Sequence, residues 1–211
     1  SWPKRPVIIT FDDGFDDNYH HAYPILKNLE VPATIFLATN YIGGKNLYWF
    51  DQAVFLLKQL KDSLTLQTSD KQKLLVLNPH HSFDNQQREL FKLLKNIPDR
   101  ERLHLLQQLS NEVNVAPDQD TQAHSQSMSW DNVREMQASG WINFGSHTLS
   151  HPALNQVPHQ QLIAELQQSK QKIELETGQS CDIMAYPFGG EEITVPLVLE
   201  EVKNAGYRYA M

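Results

Sequence analysis

The chain has 211 residues, 40% of them hydrophobic and 20% charged, which is ordinary globular composition with enough length for one sizeable core. Its formal charge of −7 argues against nucleic acid or an anionic membrane as the main partner. No apolar run approaches the roughly 18 residues that span a bilayer, and the single Cys181 excludes an internal disulfide framework while leaving the compartment undecided. The opening Ser1-Trp2-Pro3-Lys4-Arg5-Pro6 lacks both Met and the apolar core of a signal peptide. A processed or trimmed product is expected, from which a secretion signal could have been lost; the localisation is unknown, with a leaning to an extracytoplasmic setting.

The first element is Val7-Ile8-Ile9-Thr10-Phe11, a β-branched run that reads as a buried strand. It ends at Asp12-Asp13-Gly14. Two adjacent carboxylates cost free energy unless compensated, and a bound cation would neutralise one and leave the other as a base. An Asp-Gly turn is the plainer alternative. A helical stretch then runs to about Asn28, with Ala22, Ile25, Leu26 and Leu29 as its apolar face and Pro24 as a kink or a later start. Asp16 and Asp17 read as helix-start charges. Val31–Ala38 is a second buried strand, so the opening is a βαβ unit of a parallel sheet.

After Gly43-Gly44 the pattern becomes helical and Lys/Gln-rich to about Asn114. Helices are expected over Asp51–Lys61, with Val54, Phe55, Leu57 and Leu60 inward, and Asp99–Glu112, with Leu103, Leu106 and Leu109 inward. Gln86–Lys95 is a shorter periodic run, and Leu64–Leu77 could be strand-like. This stretch, about 45–126 with its polar tail, reads as a mainly helical insertion without a chemical cluster.

The βα alternation then resumes. Ser129 caps a helix that Gly140 follows, Trp141–Gly145 is a third strand, and Pro158–Thr177 is a helix closed by Gly178. Asp182–Tyr186 is a fourth strand, a helix spans about Val195 to Ala205, and Tyr207–Met211 is a fifth strand. Trp130 and Trp141 read as core residues and Cys181 as an inert thiol.

The third strand leads into Ser146-His147-Thr148-Leu149-Ser150-His151-Pro152. Histidines at i and i+4 share a face if the backbone makes a helical turn, which is a spacing used by divalent-metal sites. Alone the pair is a weak signal, since surface and capping histidines produce it too. Position strengthens it, because strand carboxyl ends in parallel α/β folds lie on one side and build the site.

Thr10-Phe11-Asp12-Asp13-Gly14, His147 to Pro152 and Tyr186-Pro187-Phe188-Gly189 together resemble the first three motifs of the polysaccharide deacetylases. This is the NodB-homology group, carbohydrate esterase family 4. The resemblance covers 6–42 and 128–211, and Tyr48-Trp49-Phe50-Asp51 is similar to a segment found in several members. It implies an α/β fold, a distorted and incomplete (β/α) barrel of the NodB type interrupted by the insertion. It also implies a single deacetylase domain over 1–211 whose C-terminal part is missing.

The implied activity is metal-dependent removal of N-acetyl or O-acetyl groups from an acetylated polysaccharide or oligosaccharide. Asp13, His147 and His151 would be the metal ligands, with Zn²⁺ as the ion. Asp12 would be the general base for a water whose pKa the metal lowers toward ~7. The Phe188 N–H would face the oxyanion, and Tyr186, Pro187 and Phe188 would contact the substrate. Two departures stand out. The family's third motif often begins with an Arg where this chain has Ala185, and the family's catalytic His lies in a later motif the chain does not reach. His20, His21, His124 and His159 read as surface residues and His80-His81 as part of the insertion, so the general acid is unassigned. A glycan-binding or scaffold module with a degenerate site, and a hydrolase of small non-sugar amides, are the alternative readings. Fe(II) oxygen chemistry also suits two histidines and a carboxylate, but needs no adjacent base.

Overall fold

The computed structural model describes residues 4–117, 121 and 125–211. Its first elements are β1 (Thr10–Phe11), a π-helical turn (Asn18–Ala22), α1 (Tyr23–Asn28) and β2 (Ala33–Leu37). Then come α2 (Trp49–Gln59), β3 (Leu64–Gln67), β4 (Leu74–Leu77), α3 (Phe83–Lys95) and α4 (Asp99–Val113). The chain continues through α5 (Trp130–Ala138), β5 (Ile142–Ser146), a 3-10 turn (Leu154–Gln156) and α6 (His159–Thr177). It ends in β6 (Ile183–Met184), α7 (Pro196–Asn204) and β7 (Tyr209–Ala210). Two compact units result, one formed by Ser1–Lys45 with Gln126–Met211 and the other by Asn46–Ser125.

The first unit is built on a five-stranded sheet in the order β1-β2-β5-β6-β7, with every neighbouring pair parallel. Its register sets Phe11 beside Ile35, Leu37 beside Ser146, and Ser146 beside Met184. The carboxyl ends of β1, β2, β5 and β6 therefore meet, and the residues following each strand are brought together. β2 is central, with Ile35, Phe36 and Leu37 fully buried, as expected for a strand covered on both faces. Val133 and Met136 of α5 and Leu162, Leu166 and Ile173 of α6 belong to the same core cluster. Burial of each such side chain stabilises the fold by about 1.5–3 kcal/mol.

Gly145 of β5 allows the close strand–strand packing that supports the site. A Cβ there would lie 2.6 Å from two Phe36 ring carbons and 2.9 Å from the Ile183 carbonyl oxygen. Gly145→Ala is expected to lower unfolding free energy by about 1–3 kcal/mol in denaturant titrations, the usual cost of overpacking.

Several expected boundaries shift. The Val7 run is not a buried strand: Val7 and Ile8 are 86% and 66% exposed, and β1 keeps only Thr10 and Phe11. The reason is its place at the end of the sheet order, with one neighbour, β2. Pro24 sits in the first turn of α1, where its missing N–H costs nothing. The preceding turn is π-helical, which changes the phase, so Tyr23 and Leu26 face inward while Ile25 and Leu29 are exposed. Trp130 and Trp141 are half-buried rather than interior. Cys181 is buried, and burial pushes its thiol up to about 12, which makes it a poor nucleophile.

The second unit holds α2, α3, α4 and the antiparallel hairpin β3–β4, in which Leu64 pairs with Leu77 and Leu66 with Leu75. Arg102 of α4 is buried, paired with Asp99 and stacked 4.7 Å from the Trp49 ring centroid. That burial turns the helix so that Leu105, Leu106 and Leu109 face inward and Leu103 is exposed, correcting the expected phase. No helix of the described residues is long and apolar enough to cross a membrane.

Candidate metal centre

The site begins where β1 stops. The Gly14 N–H donates to the Asp12 carbonyl at 2.8 Å, closing a tight turn in which Asp13 has φ 69°. Asp tolerates the left-handed region better than most residues, yet the conformation still costs about 1–2 kcal/mol. Gly14, at φ 84°, would be strained by any side chain, and a Cβ 2.7 Å from Leu37 Cδ2 and 2.8 Å from Ile42 Cδ1 would force those side chains to shift. The turn breaks strand alternation, leaving Asp12 exposed and Asp13 half-buried beside the histidines.

His147 follows β5 directly and is buried. Its Nδ1 lies 2.9 Å from the Ala185 carbonyl, which can only accept, so Nδ1 carries the proton and Nε2 presents a lone pair. Burial pushes the imidazole below its usual range, with the charge of Asp12 and the bond to Ala185 acting the other way. The neutral form that can bind a metal is therefore favoured at pH 7. No helical turn joins the two histidines. Thr148 and His151 adopt φ 69° and 56°, and this left-handed route carries His151 back over His147, with ring centroids 4.7 Å apart.

Three donor atoms converge. His147 Nε2 and His151 Nε2 are 3.1 Å apart, and Asp13 Oδ1 lies 3.3 Å from His151 Nε2 and 3.6 Å from His147 Nε2. Zinc bonds of about 2.0–2.2 Å in a tetrahedron require ligand atoms roughly 3.3–3.5 Å apart. The triangle is close to that spacing, and a cation between the three atoms would take the Nε2 lone pair of His147. Asp13, His147 and His151 could thus hold a divalent metal ion.

The third wall is the turn after β6. The Gly189 N–H donates to the Tyr186 carbonyl at 3.1 Å, with Pro187 and Phe188 as the central residues and Phe188 at φ 71°. This is the type II pattern, which normally places Gly where Phe188 stands. The Phe188 ring meets His151 edge-on at 4.9 Å. Tyr186 and Pro187 are buried, and burial raises the Tyr186 hydroxyl pKa. His20 and His159 pair with Asp16 (3.1 Å) and Glu201 (2.9 Å), and His124 lies outside the described residues.

The family profile for polysaccharide deacetylase matches residues 1–210 of the chain. The chain belongs to the polysaccharide deacetylase family. It is 43% identical over 61 residues to the poly-beta-1,6-N-acetyl-D-glucosamine N-deacetylase of Staphylococcus aureus, covering 29% of this chain and 20% of that protein. The fold of IcaB from Ammonifex degensii is similar, with a TM-score of 0.56 at 17% identity over 99% of this chain and 60% of that one. The Streptococcus pyogenes deacetylase PplD aligns with a TM-score of 0.54 at 18% identity, over 97% of this chain and 54% of that one. The chain therefore spans little more than half the length of these two solved structures, and a fifth of the Staphylococcus aureus relative.

Sequence reasoning missed several residues that support this candidate site. Ala185 contributes through its carbonyl, which no side-chain pattern reveals. Glu165 and Ser169 of α6 are buried behind the histidine loop. Their signal was available, because both interrupt the apolar stripe of Leu162, Leu166 and Ile173. A carboxylate on the buried face of a helix needs partners.

Proposed function

We propose that the chain is a metal-dependent hydrolase that removes N-acetyl, or O-acetyl, groups from a carbohydrate polymer. The observation that carries this reading is the Asp13–His147–His151 triangle at the meeting strand ends, with the carboxylate of Asp12 adjacent to it in the chain. Zn²⁺ held there would supply Lewis acidity and a hydroxide equivalent near neutral pH. Asp12, exposed and outside the ligand triangle, is the base that takes the proton from the attacking water. Asp13 stays with the ion, so the adjacent carboxylates have separate tasks. His147 keeps its Nδ1 proton on Ala185 and takes no part in proton transfer. The Phe188 N–H is the donor to the developing oxyanion, and its strained φ is the cost of that placement. Tyr186 and Pro187 shape the wall beside it, and the donor to the leaving group is not assigned. The Staphylococcus aureus relative, named for a β-1,6-linked N-acetylglucosamine polymer, supports an N-acetylated hexosamine polymer as the substrate class.

Metal removal tests the reading. Dialysis against a strong chelator should abolish acetate release, and about one equivalent of Zn²⁺ should restore it. Primary amine appearing with the acetate marks N-deacetylation. Activity that survives complete metal removal would overturn the metal-dependent mechanism.

A further inference from the structure

The loop 147–151 is hydrogen-bonded at every backbone N–H. His147 N–H donates to the Leu37 carbonyl (2.8 Å), and Thr148 N–H to Ser146 Oγ (3.1 Å). Leu149 and Ser150 N–H both donate to one oxygen of Glu165, at 2.8 and 2.9 Å, and the Ser150 hydroxyl donates to the other at 2.6 Å. His151 N–H closes on Thr148 Oγ1 at 3.1 Å. A buried carboxylate is costly unless hydrogen-bonded. Here three donors, none a cation, satisfy it, and all come from the two residues just before His151. One turn further along α6, Ser169 Oγ lies 2.7 Å from Ser146 Oγ and donates to the Glu165 carbonyl at 2.7 Å. The same helix thus holds both ends of the loop.

We infer that Glu165 is the positioning residue of the metal centre, its carboxylate pinning the left-handed loop so that His151 Nε2 is in place before an ion arrives. The inference rests on Asp13, His147 and His151 being the ligands. His151 cannot shift without moving the two N–H groups that Glu165 fixes. Thr148 and His151 would otherwise relax from their left-handed conformations. Supporting partners of this kind are typically worth about 10–100-fold in metal affinity.

The test is Zn²⁺ affinity of the metal-free chain by competition with a chromophoric chelator, together with the visible spectrum of the Co²⁺-loaded chain. Glu165→Leu leaves the Leu149 and Ser150 N–H groups, both partly buried, without their acceptor and should weaken Zn²⁺ binding about 10–100-fold. Glu165→Asp keeps the charge but withdraws the carboxylate by one methylene, and should lose about tenfold or more. Glu165→Gln can accept both N–H groups on its amide oxygen and donate to Ser150 Oγ, so it should stay within about threefold of wild type. The Co²⁺ spectrum should change for the Leu and Asp variants and not for Gln. If Glu165→Leu does not fold, the Asp and Gln variants decide by the same criteria. Leu and Asp variants that bind Zn²⁺ as wild type does would overturn the positioning role alone. A wild-type chain that binds no Zn²⁺ would overturn the ligand assignment, and this inference with it.

Discussion

Asp12→Asn should retain the metal and lose turnover. The amide is isosteric with the carboxylate but cannot accept a proton, and a positioned general base contributes about 10²–10⁴ to rate. The fall should appear in kcat with little change in KM, since the proton moves only in the transition state. Asp12 is exposed and outside the donor triangle, although its charge reaches His147. Zn²⁺ affinity should therefore fall by less than about tenfold, the size of a single exposed charge interaction. Steady-state acetate release and zinc titration on the same preparation check both parts. Activity within about tenfold of wild type would show that Asp12 is not the base.

Asp13→Asn should give the complementary result, loss of the metal and with it of turnover. Asp13 is the only anionic member of the triangle, with its oxygen 3.3 and 3.6 Å from the imidazole nitrogens. Without it, two neutral imidazoles face a divalent ion. The loss should exceed the roughly 10–100-fold that outer partners are worth. Asn is the cleaner substitution than Ala because position 13 has φ 69°, a region that Asn tolerates and Ala does not. An Ala variant would add backbone strain to the lost ligand. Zinc affinity by chelator competition decides, and near-wild-type binding by Asp13→Asn would remove it from the ligand set.

The alternation of strands and helices, with its long interruption, was legible because β2, β5 and the large helices are long or strongly periodic. The short strands were less so. β1 has one neighbour, so the β-branched Val7 and Ile8 suggested a burial that the sheet does not provide. In α4, the buried Arg102 takes a position that apolar periodicity assigns to Leu. The i, i+4 spacing singled out two histidines that the fold brings together, but not through the helical turn that would put them on one face: two residues at positive φ, Thr148 and His151, make the approach. The loop is held in part by a local bond, Thr148 N–H to Ser146 Oγ, and in part by Leu149 and Ser150 N–H donating to Glu165, whose placement behind the loop is tertiary and is not given by local sequence. Asp12-Asp13-Gly14 was more readable, because Gly14 marks the turn that its neighbours require.

The central claim is hydrolysis of acetyl groups at the Asp13–His147–His151 centre. The measurement that tests it most directly is acetate released from N-acetylglucosamine oligomers by the purified chain loaded with Zn²⁺, with Asp12→Asn run alongside. Sustained release by wild type, falling about 10²–10⁴-fold in the Asn variant, is the predicted result. No acetate from any acetylated glycan, with the ion demonstrably bound to these three residues, would contradict it.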